Sequence, residues 1–319
     1  MTYLTEKTIN GKKYHYLVKS IRLPDGSQKK IQKIIKKPKN RKALENRYKD
    51  YFIQKEKQLY TKYAIGKYET DPIFTRNEIE KLESIRVDYR YLIRKLSEKQ
   101  LKDAFDRFTV NFTYESNAIE GNSLTLKDVA IVIFENATIE GKDLREIYET
   151  RNLRDVMGMV RKGRFDINHK DIIKVHELLM RDIDTSVGYK KVPNYIVGKS
   201  IETTPPEKVE SEMSDLINWY EESIESIHPL SVSTIFHGRF EGIHPFEDGN
   251  GRVGRLLSNV ILMKNKYPPL IIRKSQRLSY LKVLEDYDNG YEWNLKRFFL
   301  RRFKDTYKKF FEVYIKYLD

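Results

Sequence analysis

The run His244-Pro245-Phe246-Glu247-Asp248-Gly249-Asn250-Gly251-Arg252-Val253-Gly254-Arg255 gathers an imidazole, a carboxylate, a glycine-rich turn and two guanidinium groups in one short stretch. Gly249-Asn250-Gly251 tolerates positive φ, so successive backbone N–H groups can point into one concavity at the start of a helix. Such a concavity takes anions. The free N–H groups and the helix dipole favour phosphate, and Arg252 and Arg255, three apart on the first turns, are expected to reach the same anion. A polyphosphate is the expected guest. Asp248 can place a hard carboxylate oxygen on Mg2+ that is otherwise held by phosphate oxygens and water. His244 is the nearby side chain that titrates near neutrality and can accept a hydroxyl proton. Phe246 lacks such chemistry and reads as an apolar peg that fixes the loop to the core, and Glu247 reads as exposed.

Two helices must hold these groups in place. Val232, Ile235, Phe236, Phe240 and Ile243 mark an apolar helix face before the run, and Leu256, Leu257, Val260 and Ile261 mark another after it. Helical spacing predicts further helices near 76–96, 98–119, 125–136, 141–161, 168–182, 206–226, 231–243, 251–264, 275–288 and 291–317, so the body is expected to be all-α. One stretch, Gly188 to Gly198, lacks helical spacing and reads as a short hairpin. Upstream, Tyr14, Tyr16 and Val18 alternate with polar residues between Thr5 and Ile35. Turn signals at Asn10-Gly11 and Pro24-Asp25-Gly26 complete the pattern of about three antiparallel strands. Lys36-Lys37-Pro38-Lys39-Asn40 ends that pattern, and a long polar helix is predicted from about Arg41 to Tyr60. Its tyrosines, between Tyr48 and Tyr68, read as a packed helix face.

Composition bounds the rest. With 39% hydrophobic and 33% charged residues among 319, and no cysteine, the chain is neither membrane-embedded nor disordered, and it can form no disulfide or thiolate site. Its longest apolar stretch, Val129 to Phe134, falls far short of the roughly 20 residues that span a bilayer. Residues 1–10 lack the apolar core of a signal peptide, from which a cytoplasmic protein is expected. The formal charge of +14 is uneven: residues 1–70 hold 19 Lys/Arg against 6 Asp/Glu, and the remainder is close to balance. That asymmetry fits either an arm that meets a polyanion such as nucleic acid or an acidic protein, or a solvated appendage.

The loop also resembles a known family. His244, Phe246, Asp248, Gly249, Asn250, Gly251, Arg252 and Arg255 match every fixed position of the His-x-Phe-x-Asp/Glu-Gly-Asn-Gly-Arg-x-x-Arg motif of Fic domains. The resemblance implies a mainly α fold, a Fic-type helical bundle with a β-hairpin flap. It implies a nucleotidyltransferase that moves AMP from ATP onto a Ser, Thr or Tyr hydroxyl of a target protein, which can be the enzyme itself. In that reading His244 is the general base and Asp248 holds Mg2+. Gly249, Asn250 and Gly251 hold the α- and β-phosphates, and Arg252 and Arg255 take the outer phosphates. The related Doc kinases carry Lys where this chain has Gly251, which argues against simple phosphotransfer.

Ser116-Asn117-Ala118-Ile119-Glu120-Gly121-Asn122 is similar to the inhibitory Ser/Thr-x-x-x-Glu-Gly/Asn motif of Fic proteins. Ser116 and Glu120 are four apart on one helix face, and Gly121 suits a helix C-terminus. If Glu120 pairs with Arg255, it neutralises a γ-phosphate ligand and misaligns ATP for in-line attack. The hairpin, with Val192, Tyr195 and Val197, resembles the Fic flap that docks a target segment by strand addition. Many Fic proteins form homodimers that secure the inhibitory helix.

Other readings are weaker. His15, His169, His176, His228 and His237 are expected to be structural, no His-Glu-x-x-His zinc pair exists, and Gly198-Lys199-Ser200 lacks the first glycine of a phosphate loop. The expected organisation is a small basic β-rich arm over 1–40, a helical linker region over 41–95 and a catalytic domain over 96–319, its inhibitory helix near 98–120. The expected activity is protein adenylylation restrained by Glu120. The alternatives are removal of AMP at the same site, and a nucleotide sensor whose basic arm, within 1–70, binds nucleic acid.

Overall fold

The computed structural model describes residues 2–36, 40–186, 188–194 and 203–315. The chain opens with an antiparallel sheet in the order β1 (Thr2–Ile9), β2 (Lys12–Arg22), β3 (Gln28–Ile35). The first turn places Asn10 and Gly11 at φ 51° and 73°, a pair of left-handed residues that matches the twist of the flanking strands. One face of the sheet buries Leu17, Ile21, Ile31 and Ile35 against Leu44, Phe52 and Tyr60. Those three side chains come from α1 (Arg41–Arg47) and α2 (Lys49–Lys67). The single helix predicted over 41–60 is thus kinked at Tyr48, where φ is −109° and ψ 18°, and it runs a further two turns because Ala64 and Tyr68 are buried against Ile79.

The body is helical, as predicted: α3 (Arg76–Lys95), α4 (Glu98–Ile119), α5 (Leu126–Phe134), α6 (Leu144–Arg161), α7 (His169–Met180), α8 (Pro206–Ser223), α9 (Pro229–Ile243), α10 (Asn250–Lys264), α11 (Arg277–Asp288) and α12 (Glu292–Tyr307). Side-chain caps fix several starts; Ser97 accepts from the Gln100 N–H and Thr125 from the Asp128 N–H, each in a capping box. Pro229 sits in the first turn of α9, where its missing N–H is harmless, so that helix begins two residues before the predicted boundary. After Tyr307 the last helix loosens into a π turn over Lys308–Glu312, which buries Phe310 and Phe311.

Helices α9 and α10 form the centre. Val232, Phe236, Phe240, Val253, Leu257 and Ile261 are fully buried, and each contributes about 1.5–3 kcal/mol by leaving water. One large cluster surrounds them with side chains of α4, α6, α7 and α8, and a second joins α9 and α10 to α11 and α12. Helix α3, assigned from sequence to a linker region, places Leu82 in the second cluster and Tyr89 and Leu92 in the first. The stretch expected as a hairpin shows no strand over 188–194, and its remainder lies outside the described residues.

Candidate active site

The loop between α9 and α10 is held by its own side chains. Phe246 is completely buried and stacks on the His176 ring, centroids 3.9 Å apart and planes at 2°. This is the anchoring role expected of it. Asn250 closes the loop: its Oδ1 accepts from the Phe246 N–H at 2.9 Å and its Nδ2 donates to the Phe246 carbonyl at 2.7 Å. Asn250 was expected in the phosphate nest through its backbone N–H, and its side chain is committed to the loop. His176 Nε2 lies 3.1 Å from the Asp248 carbonyl, and burial pushes its imidazole below the ordinary histidine range. A neutral ring that braces two loop residues is a structural role, as expected.

His244 ends α9 in the left-handed conformation, φ 52° and ψ 59°. Its N–H still donates to the Phe240 carbonyl at 2.9 Å, so the chain reverses there without leaving the last turn of α9 unsatisfied. Gly249, at φ 79°, begins α10. The next N–H groups, those of Asn250, Gly251 and Arg252, are first-turn donors with no acceptor inside their own helix. They are the donors that the sequence assigns to a concavity for anions. At Gly251 a Cβ would collide with the Glu120 carboxylate and lie 2.9 Å from an Arg255 nitrogen, so a larger residue there would push these two side-chain ends aside.

The two arginines do not share a partner. Arg255, 3% exposed, donates from Nε to Ser116 Oγ at 3.0 Å and from NH2 to the Ser116 carbonyl at 2.9 Å and Glu120 Oε1 at 2.6 Å. Burial alone would lower its pKa, but the charges of Glu120, Tyr280 and Glu241 and the hydrogen bond to Glu120 together outweigh this and hold the guanidinium above its ordinary range. Arg252 turns instead toward Glu149 Oε1 at 3.0 Å and Asp248 Oδ1 at 3.6 Å. The expectation that both reach one anion is therefore not met in this conformation, because each guanidinium already has its own carboxylate.

Glu120 itself is fixed by the end of α4. The Gly121 N–H returns to the Ala118 carbonyl and the Asn122 N–H to the Asn117 carbonyl, with Gly121 at φ 105°, a Schellman termination. Arg277 Nε donates to the Ile119 carbonyl at 2.7 Å, tying this end to α11. His244, Glu120, Gly251, Arg255, Arg277 and Tyr280 line one cavity of about 320 Å3. The expected proton acceptor, nest glycine, outer arginine and inhibitory carboxylate thus meet in one space.

Asp248 stands at the rim, with its carboxylate accepting from Arg145 and from the Gly249 N–H. Sequence reasoning missed Arg145 and Glu149. They form an i,i+4 pair on α6, the one local signal they offered, and nothing in it pointed to a loop a hundred residues away. Beside the loop, Lys190 N–H donates to the Pro245 carbonyl and Asn194 Nδ2 to the Phe246 carbonyl, at 2.8 and 2.7 Å. The segment read as a flap therefore borders the loop; Val192 is exposed, while Tyr195 and Val197 lie outside the described residues.

Comparison with known proteins agrees with this geometry. Residues 166–262 match the Fic/DOC family. The chain is 31% identical over 207 residues to the protein adenylyltransferase Fic of Drosophila erecta, covering 63% of this chain and 41% of that protein. It is 30% identical over 196 residues to its namesake in Nematostella vectensis, covering 60% and 46%. It thus spans less than half the length of these curated relatives. A Fic family protein from Desulfovibrio desulfuricans superposes with a TM-score of 0.62 at 27% identity, covering 78% of this chain and 77% of that one. A Fic domain protein from Bacteroides thetaiotaomicron shares the fold at TM-score 0.67 and 24% identity, covering 74% and 96%. The glycine-rich turn between two buried helices, closed by its own asparagine, falls within residues 166–262, the stretch of this chain that matches the Fic/DOC family.

Proposed function

We propose that this chain is a protein adenylyltransferase that transfers AMP from ATP to a Ser, Thr or Tyr hydroxyl of a protein target and is restrained by Glu120. The observation that carries the reading is the cavity in which His244 and Arg255 meet at the Gly251 edge of the helix N-terminus. The relatives' shared name, protein adenylyltransferase, supports it. His244 takes the proton from the incoming hydroxyl, whose oxygen bonds to the α-phosphorus as the bond to the β-phosphate bridging oxygen breaks and pyrophosphate leaves. The first-turn N–H groups of α10 and Arg255 stabilise the charge on the phosphate oxygens.

Asp248 fits an Mg2+ site of the one-carboxylate kind: it is 46% exposed at the rim of the loop, and a single carboxylate plus substrate phosphates is how Mg2+ is commonly held. When bound, the ion neutralises phosphate charge. Arg145 and Arg252 supply positive charge to the same carboxylate without it. Glu120 opposes the reaction by occupying Arg255. Replacing His244 with Ala should cut transfer of labelled AMP by about 10²–10⁴-fold, the usual share of a general base, with ATP affinity by calorimetry nearly unchanged. Transfer retained in that variant removes the assignment.

A second reading, a nucleotide-responsive body whose arm engages nucleic acid, is favoured by one observation: residues 1–70 carry nearly all of the excess positive charge.

A further inference from the structure

The strand register sorts the arm's charge onto two faces. Residues opposite one another in antiparallel strands share a face, and neighbours along a strand alternate. Leu17, Ile21, Ile31 and Ile35 face α1 and α2, and Glu6, paired with Lys13 and His15, lies on that same side. The outer side takes the other set of positions. There Lys7 and Lys12 line up with Tyr14 and Ile9, Arg22 with Gln28, and Lys30 with Ser20. No Asp or Glu occupies any strand position on this outer face. Lys7 shows that the three strands act as one surface, since its ammonium lies 5.2 Å from the Tyr16 ring and 3.1 Å from Gln32 Oε1.

Apolar groups are interleaved with the cations. Tyr3, Ile9 and Ile34 are 38%, 46% and 57% exposed, and all three register positions fall on the outer face. At the centre Tyr16 and Val18 are sunk to 9% and 1%, so the surface is a shallow platform with no central ridge to enter a major groove. To a surface that enters no groove, a duplex offers its sugar-phosphate backbone alone. Splayed bases can also cover exposed rings and isoleucines while their phosphates meet the lysines.

We propose that this outer sheet face is a platform for single-stranded nucleic acid, with Lys7, Lys12, Arg22 and Lys30 tracking phosphates and Tyr3 and Tyr14 stacking on bases. The inference deepens the second reading above and does not depend on AMP transfer. With four phosphates neutralised, log affinity should fall against log salt with a slope of about −3, at about −0.7 per contact for single strands.

The test is fluorescence anisotropy of the full chain with a labelled single-stranded oligonucleotide, its duplex form, and unlabelled polyglutamate as competitor. Joint replacement Tyr3→Ala and Tyr14→Ala should weaken single-strand binding at least tenfold with the slope unchanged, as loss of base stacking predicts. Phe at both positions should restore it. Lys7→Ser with Lys30→Ser should reduce the slope by about 1.4; these lysines are exposed, so that pair serves if the tyrosine pair fails to fold. Absence of single-strand binding at low salt overturns the proposal. So does unaltered affinity in the folded tyrosine variants, or displacement by polyglutamate as effective as by unlabelled oligonucleotide. Tighter binding of the duplex also overturns it, yet leaves the arm as a nucleic-acid contact.

Discussion

Replacing Glu120 with Gly tests the restraint directly. Glu120 Oε1 and Arg255 NH2 are 2.6 Å apart, which puts the charge centres near contact distance. At an effective dielectric of about 20 such a pair is worth about 4 kcal/mol. The Glu120 side chain is 42% exposed, whereas that of Arg255 is 3% exposed, and water on the carboxylate side reduces the net figure to about 1–2 kcal/mol. ATP must displace this carboxylate to reach the guanidinium, so its removal should raise the rate of labelled AMP transfer at subsaturating ATP by a factor of about 5–30. Arg255 keeps two bonds to Ser116, so the variant should remain folded. Glu120→Gln separates charge from bulk: it should give part of the gain, because the amide still fills the space beside Gly251. The assay is transfer into protein of α-labelled ATP, with a thermal melt as the control for folding. Unchanged or slower transfer in a folded Glu120→Gly protein would refute the restraint. Loss of AMP removal from a pre-modified target would instead favour the reverse reaction.

Three further outcomes are expected. Asn250→Ala leaves the buried Phe246 N–H without its acceptor and should destabilise the protein by about 1–3 kcal/mol, lowering the melting temperature by several degrees; a shift under one degree would deny Asn250 its part in closing the loop. Arg145→Ala should lower the Mg2+ concentration for half-maximal transfer several-fold, since a competing cation leaves Asp248; an unchanged or higher requirement counts against it. Burial, aided by the nearby Arg255 charge, pushes the His237 pKa down to about 3. Its unfolded pKa lies near 6.5, so below that value the unfolded chain binds the extra proton. The stabilising contribution is complete above about pH 6.5 and is lost as pH falls toward about 3. Urea unfolding between neutrality and pH 4 should therefore show a steeper loss in the native protein than in His237→Gln, and equal slopes would sink the argument.

The elements that carry the site were legible because their signals are local. Apolar spacing in α9 and α10 and the glycines at 249 and 251 depend only on neighbours in sequence. The contact of Ser116 and Glu120 with Arg255 was legible only through family resemblance, because they lie far from Arg255 along the chain. Arg145 and Glu149 escaped for the same reason without a motif to flag them: an ion pair across the loop leaves no periodicity. Asn250 was read for its backbone N–H in the nest, and the role of its side chain was not foreseen, because its partner, the Phe246 backbone, is met only once the loop has closed. The boundary between linker and body was equally hidden. Whether α3 joins the core depends on which side chains meet Leu82, Tyr89 and Leu92, and its own amphipathic pattern cannot say.

The backward bend at His244 has a consequence for how such a protein can lose its activity. Left-handed backbone is costly for most side chains and cheapest for Gly, with Asn next among the rest. Asparagine there would preserve the bend and the grip on phosphate while deleting the proton acceptor, and it is one nucleotide change from histidine. Valine or isoleucine would wreck the bend as well. Loss of the proposed proton acceptor with the loop kept is therefore a short evolutionary step for this fold, whereas a β-branched replacement at that position endangers the loop itself.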